Sequence, residues 1–207
     1  VTRTMSARTA ASSTGDNADD ITIKGCTISG GYYGITMYGG GTASYNSNIT
    51  LENNTVVDAY YYGIRLYYFD NVSITGNNVE LAYTYSYGMY LYYLRNFNVS
   101  GNTSMAGGYG LYSYYANQNI TPANRSTISN NFFGATNTYG MSISYPNAVN
   151  IHHNSARGGN RGLYLYGYQT TSLETDVRNN ILYGASGEGI YFSNSQGGAI
   201  TADYNLY

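Results

Sequence analysis

The residues able to do chemistry in this chain are few and widely separated. Asp58, Asp70, Glu80 and Glu188 fall at bends of different repeat units and form no cluster, whereas acid–base cleavage of a glycosidic bond needs two carboxylates facing each other. His152-His153 places two imidazoles directly before Asn154 with no third ligand at a matching place, short of the three or four a zinc-type site requires. Cys26 is the one cysteine, so no disulfide closes within the chain, and its slot reads as that of a small buried residue. This set predicts no cofactor and no metal. Arg65 is the weak catalytic candidate, a lone cation beside Thr36 and Tyr90 in neighbouring repeats, where a tyrosine acting as base would draw on its charge. The abundant chemical group is the phenol, with 28 tyrosines in 207 residues.

These side chains are positioned by a repeat. One phrase returns seven times, as Tyr33-Gly34-Ile35-Thr36-Met37, Tyr62-Gly63-Ile64-Arg65-Leu66, Tyr87-Gly88-Met89-Tyr90-Leu91, and then around Gly110, Gly140, Gly162 and Gly189. Between the copies an apolar residue precedes an Asn by three places, as in Leu51 with Asn54, Ile74 with Asn77 and Val99 with Asn102, and onward to Asn131, Asn154, Asn180 and Asn205. Such a unit cannot bury its apolar side alone and must stack on its neighbours. Alternating apolar and polar residues rich in Tyr, Ile, Val and Thr give short strands, and no segment has helical spacing. The predicted fold is all-β, a parallel β-helix of about eight coils over residues 21–207, preceded by a polar arm or leader over residues 1–20. Stacked strands about 4.8 Å apart would let identical Asn side chains bond to one another, and the same Asn would make the bend in a left-handed conformation.

With its columns of Asn, the sequence from about residue 21 to 207 resembles the pectin-lyase-like, right-handed parallel β-helix superfamily, whose coils carry such ladders. Asp203-Tyr204-Asn205-Leu206-Tyr207 is similar to late-coil sequence there, where the chain usually continues. The resemblance implies that a substrate would lie along the strands that follow each Gly. If the chain is an enzyme, it implies a polysaccharide lyase or glycoside hydrolase, and neither the calcium-holding carboxylates of the one nor the carboxylate pair of the other stands in those strands.

The spacing separates a constant part of each coil from a variable one. From the Asn column to the next Gly there are 8 to 11 residues, and from that Gly to the next Asn 14 to 21. All insertions therefore sit at one corner, the long ones at 39–48 and 116–125. In the strand after each Gly, alternation leaves two outward columns: Thr36, Arg65, Tyr90, Tyr112, Ser142, Tyr164, Tyr191 and Tyr38, Tyr67, Tyr92, Tyr114, Ser144, Tyr166, Ser193. Stacked phenols stabilise neighbouring coils, and a flat aromatic face also binds sugar rings or another protein. Tyr38, Tyr67, Tyr90, Tyr92, Tyr112, Tyr114, Tyr164, Tyr166 and Tyr191 are thus the candidate ligand or assembly face.

A net charge of −2 with 10% charged residues argues against a nucleic-acid partner, which needs a basic stripe, and no apolar run is long enough to span a membrane as a helix. A surface of Asn, Gly, Ser, Thr and Tyr resembles that of exported proteins, which gives an extracellular or cell-surface location. Of the Asn-X-Ser/Thr sequons, Asn48, Asn71, Asn119 and Asn124 are the glycosylation candidates, whereas Asn102 belongs to the inward ladder. No cap is legible at either end, which suggests either a piece of something longer or open ends that pair with further copies. The sequence points to an extracellular structural or adhesive β-helix that forms homo-oligomers or fibres through its ends and its tyrosine face, or, alternatively, to one that binds or cleaves a polysaccharide there.

Overall fold

The computed structural model describes residues 5–8, 19–117, 125–168, 174–196 and 200–207. After β1 (Met5–Arg8), the first turn is made of β2 (Thr22–Lys24), β3 (Thr27–Ser29) and β4 (Tyr33–Tyr38). The second holds β5 (Asn46–Glu52), β6 (Thr55–Val57) and the first half of β7 (Tyr62–Thr75); the third takes the rest of β7, β8 (Asn78–Glu80) and the first half of β9 (Tyr87–Ser100). The remainder of β9, β10 (Thr103–Ala106) and β11 (Tyr109–Tyr114) form the fourth, and β12 (Ser126–Ser129), β13 (Phe132–Ala135) and β14 (Tyr139–Ser144) the fifth. The sixth contains β15 (Val149–His152), β16 (Ser155–Gly158) and β17 (Arg161–Tyr168), the seventh β18 (Thr175–Arg178), β19 (Ile181–Gly184) and β20 (Ile190–Gln196), and β21 (Ile200–Asp203) starts an eighth. Seven complete turns are described, and β21 with the parallel Leu206–Ile181 bridge to β19 begins an eighth.

Every pairing is parallel, and each strand bonds to its counterpart one turn away. The strands after each Gly form one wall, the Asn strands a second, and the short strands from β3 to β19 a third. Strands β7 and β9 run unbroken from the first wall into the second. The insertions after β4, β11, β17 and β20 fall at that corner, which is where the variable spacing had put them, while β14 reaches β15 with none. β1 adds to the first wall beyond β4, with Met5 opposite Ile35 and Arg8 opposite Tyr38, so a part of the polar leader is strand.

The core is a set of stacked columns. Ile35, Ile64, Met89, Leu111, Met141 and Leu163 follow one another in register and are fully enclosed. Leu51, Ile74, Val99, Ile128, Ile151 and Val177 do the same from the second wall. Each such side chain contributes roughly 1.5–3 kcal/mol on burial, and because a turn encloses only a few, no turn is stable without its neighbours.

The ladder runs Asn54, Asn77, Asn102, Asn131, Asn154, Asn180, Asn205. In each step the Oδ1 of one Asn accepts from both the backbone N–H and the Nδ2 of the Asn one turn below, as Asn102 does from Asn77 at 2.8 and 3.0 Å. The Nδ2 also donates to a main-chain carbonyl, as Asn102 does to Ile74 at 2.8 Å. The left-handed residue of the bend is not the ladder Asn but the one before it: Asn53, Gly76, Gly101, Asn130, His153 and Asn179, with φ of 52 to 65°. The turn geometry and the inward amide are therefore divided between two adjacent positions, since a residue in the left-handed region turns its side chain outward here. Cys26 fills the first ladder slot, its N–H donating to Asn54 Oδ1 at 3.0 Å, but it is exposed rather than buried. Among the described residues no Asn rung lies below it to cover the thiol.

The Gly of the repeated phrase is required by close approach and not by its φ. A Cβ on Gly110 would lie 2.7 Å from the carbonyl oxygen of Gly140 and 2.9 Å from the N of Gly134, backbone atoms that cannot swing aside. Gly110→Ala should cost about 3 kcal/mol, the upper range for overpacking, read as a drop in the urea midpoint. Gly167→Ala, where a Cβ meets nothing within 4 Å, should leave the midpoint within error of the parent.

Candidate functional site

The first wall turns its tyrosines outward in the register expected from alternation. Tyr38 lies opposite Tyr67, Tyr67 opposite Tyr92 and Tyr92 opposite Tyr114; Tyr90 faces Tyr112 and Tyr164 faces Tyr191. A parallel sheet brings identical side chains one strand spacing apart, and the rings follow that spacing. Tyr38 and Tyr67 are 4.7 Å apart with planes at 18°, Tyr90 and Tyr112 5.1 Å at 15°, Tyr92 and Tyr114 5.4 Å at 4°, and Tyr164 and Tyr191 5.7 Å at 8°. All nine are half-buried, covered by one another and open on their outer edges. In the fifth turn Ser142 and Ser144 interrupt both columns and are buried at 2% and 6% exposure, with Tyr139 stacked on Tyr164 (5.0 Å, 20°) beside them.

Two further tyrosine columns flank these. Tyr68, Tyr93, Tyr115 and Tyr145 stand at the insertion corner, each with φ between 51 and 61°, an unusual backbone for an aromatic residue. Their rings stack at 5.4, 4.3 and 4.7 Å, so four equal strains are held by one continuous pile of rings. The doublets Tyr67-Tyr68, Tyr92-Tyr93 and Tyr114-Tyr115 are the sequence signal that would have found this column. On the opposite edge lie Tyr33, Tyr62, Tyr87, Tyr109 and Tyr139, with Tyr87 and Tyr109 4.7 Å apart and nearly coplanar at 6°.

Arg65 is enclosed by these rings. Its guanidinium lies 4.6 to 5.1 Å from the ring centres of Tyr33, Tyr38, Tyr62 and Tyr67, and its Nη2 donates to the Tyr67 hydroxyl at 2.9 Å. A tyrosine base beside it would need a lowered pKa. Burial instead pushes the Tyr62 and Tyr38 phenols up, against the opposing pull of Arg65, and it raises Tyr87 and Tyr90 as well. Tyr112 is pushed up to about 12 by the same cause. Burial thus keeps Tyr38, Tyr62, Tyr87, Tyr90 and Tyr112 protonated, which makes these five hydrogen-bond donors and not bases.

Glu188, an isolated carboxylate in the sequence, has a partner in Arg161, which the sequence does not single out. They fill the position before the Gly in consecutive copies, and they form an ion pair at 2.7 Å. Arg161 also reaches the Tyr139 hydroxyl at 3.2 Å and lies 4.0 Å from the ring centre of Tyr191. The carboxyl of Glu188 is held below its usual value by its own backbone N–H and by Arg161. Opposite charges in one repeat slot of adjacent copies were the available sign. Arg65 and Arg161 are thus bound within the molecule.

A second polar ladder occupies the insertion corner. Asn48 Nδ2 donates to Asp20 Oδ1 at 2.7 Å, Asn71 Nδ2 to Asn48 Oδ1 at 2.6 Å and Asn96 Nδ2 to Asp70 Oδ1 at 2.6 Å. The glycosylation candidates Asn48 and Asn71 are exposed, with the amide nitrogens that would carry a sugar engaged in this ladder. Asn119 and Asn124 lie outside the described residues, and Asn102 is 1% exposed. On the second wall His152 Nε2 sits 3.3 Å from Asp176 Oδ2, and Arg178 Nε 2.7 Å from Asp176 Oδ1. Among the described residues no three His, Cys, Asp or Glu side chains come together as a metal site, and no helix is long and apolar enough to cross a membrane.

Comparison with known proteins agrees with this architecture. Residues 4–126 match the family described as right handed beta helix region, and residues 81–204 match the family described as periplasmic copper-binding protein (NosD). No curated protein and no solved structure matches the chain.

Proposed function

Because the chain belongs to the right-handed β-helix family, with its later turns of the NosD type, we propose that it is an extracytoplasmic structural or adhesive β-helix that associates with further copies of itself through the tyrosine wall. The periplasmic description of the NosD family supports a place outside the cytoplasm. Copper, which that description names, does not fit the donors described. Cys26 lies in the first turn and His152 in the sixth, where it faces Asp176, while Met37, Met89 and Met141 are sealed in the core.

One observation carries the reading: a flat face of stacked phenols in which Arg65 and Arg161 are already paired within the chain. Phenol hydroxyls both donate and accept, so two such faces can satisfy each other, and flat aromatic area open to water favours contact. A net charge of −2 opposes the approach of a second copy only weakly. Sedimentation and electron microscopy at micromolar concentration should show side-by-side dimers or filaments. The double variant Tyr90→Ser, Tyr112→Ser should sediment as single rods with unchanged circular dichroism. Single rods for the parent at every concentration would rule the reading out. Release of reducing or unsaturated sugar ends from a polysaccharide panel, lost on Arg65→Ala, would put a carbohydrate-active protein in its place.

A further inference from the structure

Outside the columns of the tyrosine wall, the bends that precede β7 and β9 bring a separate group of phenols together. Tyr60 and Tyr83 stand one turn apart, with ring centres at 4.0 Å and planes at 25°, the closest ring pair among the described residues. Tyr60 is 46% exposed. The wall's own pairs are wider, at 4.7 to 5.7 Å. Tyr85 approaches Tyr83 edge-on, at 5.9 Å and 75°, so the ring positions beside the two hydroxyls do not overlap there. Among the described residues no cation lies over the ring of Tyr60 or Tyr83. Hydrogen bonding from Tyr83, ahead of burial, holds the Tyr60 phenol above its ordinary value. Rings stacked this closely bring carbons of the two phenols into contact.

We propose that Tyr60 and Tyr83 are a preset pair for oxidative coupling, in which a haem peroxidase with hydrogen peroxide joins their rings ortho to the hydroxyls and staples the second turn to the third. Each phenol gives up one electron and its hydroxyl proton, leaving two phenoxyl radicals with spin on the ortho carbons. The radicals combine in one carbon–carbon bond, and each ortho hydrogen then moves to its own ring's oxygen as the ring regains aromaticity. One peroxide molecule takes up the two electrons and two protons and becomes two waters. The product is a dityrosine and the chain is lighter by two hydrogen atoms. Held turns already define the geometry, so the bond needs only a small ring displacement. Its effect is to tie together segments 23 residues apart in a region otherwise joined by hydrogen bonds and ring contacts, which narrows the unfolded ensemble as any cross-link does.

The test uses the full chain, dilute enough to stay monomeric, with a haem peroxidase and stoichiometric peroxide. Trypsin cuts after Lys24, Arg65 and Arg95, so Tyr60 and Tyr83 leave in the separate peptides 25–65 and 66–95. The expected result is dityrosine fluorescence on the monomer, the loss of two hydrogens, and these two peptides joined, with fragment spectra placing the bond at Tyr60 and Tyr83. Tyr60→Phe, an exposed change that leaves the core alone, should remove the joined pair. Tyr85→Phe should retain it. Joined peptides that survive Tyr60→Phe, a bond located at Tyr93 and Tyr115 instead, or coupling only between chains would each overturn the proposal.

Discussion

Replacing Asn102 with leucine is expected to lower the stability of the rod by about 4 kcal/mol, one buried donor left unpaired at roughly 1–3 kcal/mol together with the further buried hydrogen bonds it removes at roughly 0.5–1.5 kcal/mol each. The side chain stands in the fourth turn at 1% exposure. Its Oδ1 is the acceptor for both the N–H and the Nδ2 of Asn77, and its own Nδ2 serves Ile74 O, Ser100 O and Asn131 Oδ1. Leucine matches the volume and supplies none of these bonds, so the Asn77 N–H keeps its desolvation cost and loses its partner, while Asn77 Nδ2 keeps only the carbonyls of Leu51 and Thr75. The same change at Asn205 should cost about 1 kcal/mol, because that residue is half-buried and water can replace its partners. Urea unfolding followed by circular dichroism measures both. Equal and small losses at the two sites would mean that apolar stacking, and not the amide seam, sets the alignment of the turns.

The alignment itself was readable because the chemistry of each column is monotonous. A Gly that admits no Cβ, an inward amide and an outward phenol recur at spacings that allow one register. The parts that could not be read are those where two residue types do equivalent work or where a neighbour decides the outcome. Asn53 and Asn54, or Asn130 and Asn131, are identical as residues, and only the folded bend shows that the first is left-handed and the second inward. Cys26 occupies a ladder slot, yet burial of that slot depends on a rung below it. Tyr68, Tyr93, Tyr115 and Tyr145 hold a backbone conformation that propensity disfavours, and the pile of rings overrides it. The corner ladder of Asp20, Asn48 and Asn71 was hidden because the insertions there vary in length and break the sequence alignment. Arg65, singled out as the only charge of the two columns, is caged by rings, a result that depends on four tyrosines from two adjacent repeats arriving at once.

Raising the pH is expected to unfold the rod in one cooperative step that starts just above the ordinary phenol pKa of about 10. Tyr62, Tyr87 and Tyr90 are driven above that value by burial, with smaller contributions from neighbouring phenols, and Tyr112 to about 12. Because the folded values are the higher ones, the native state binds more protons than the unfolded chain throughout this window. The stability these phenols contribute is therefore complete below about pH 10 and is lost as pH climbs from there through the folded values. One such phenol removes at most about 1.4 kcal/mol per pH unit. Rings half open to water realise only part of that, which leaves roughly 3 kcal/mol per pH unit for the four together. Two such units remove roughly 6 kcal/mol, enough to unfold a domain at the lower end of the usual stability of about 5–15 kcal/mol. Tyrosinate absorbance and the β-sheet circular dichroism should accordingly change together. Absorbance that titrates gradually near pH 10 while the sheet signal persists would show that the wall ionises without strain and that its rings do not hold the turns together. Tyr90→Phe removes a phenol at the centre of the wall while keeping the ring, and it should move the common midpoint to higher pH. A midpoint unchanged in that variant would remove Tyr90 from the set of groups that link protonation to folding.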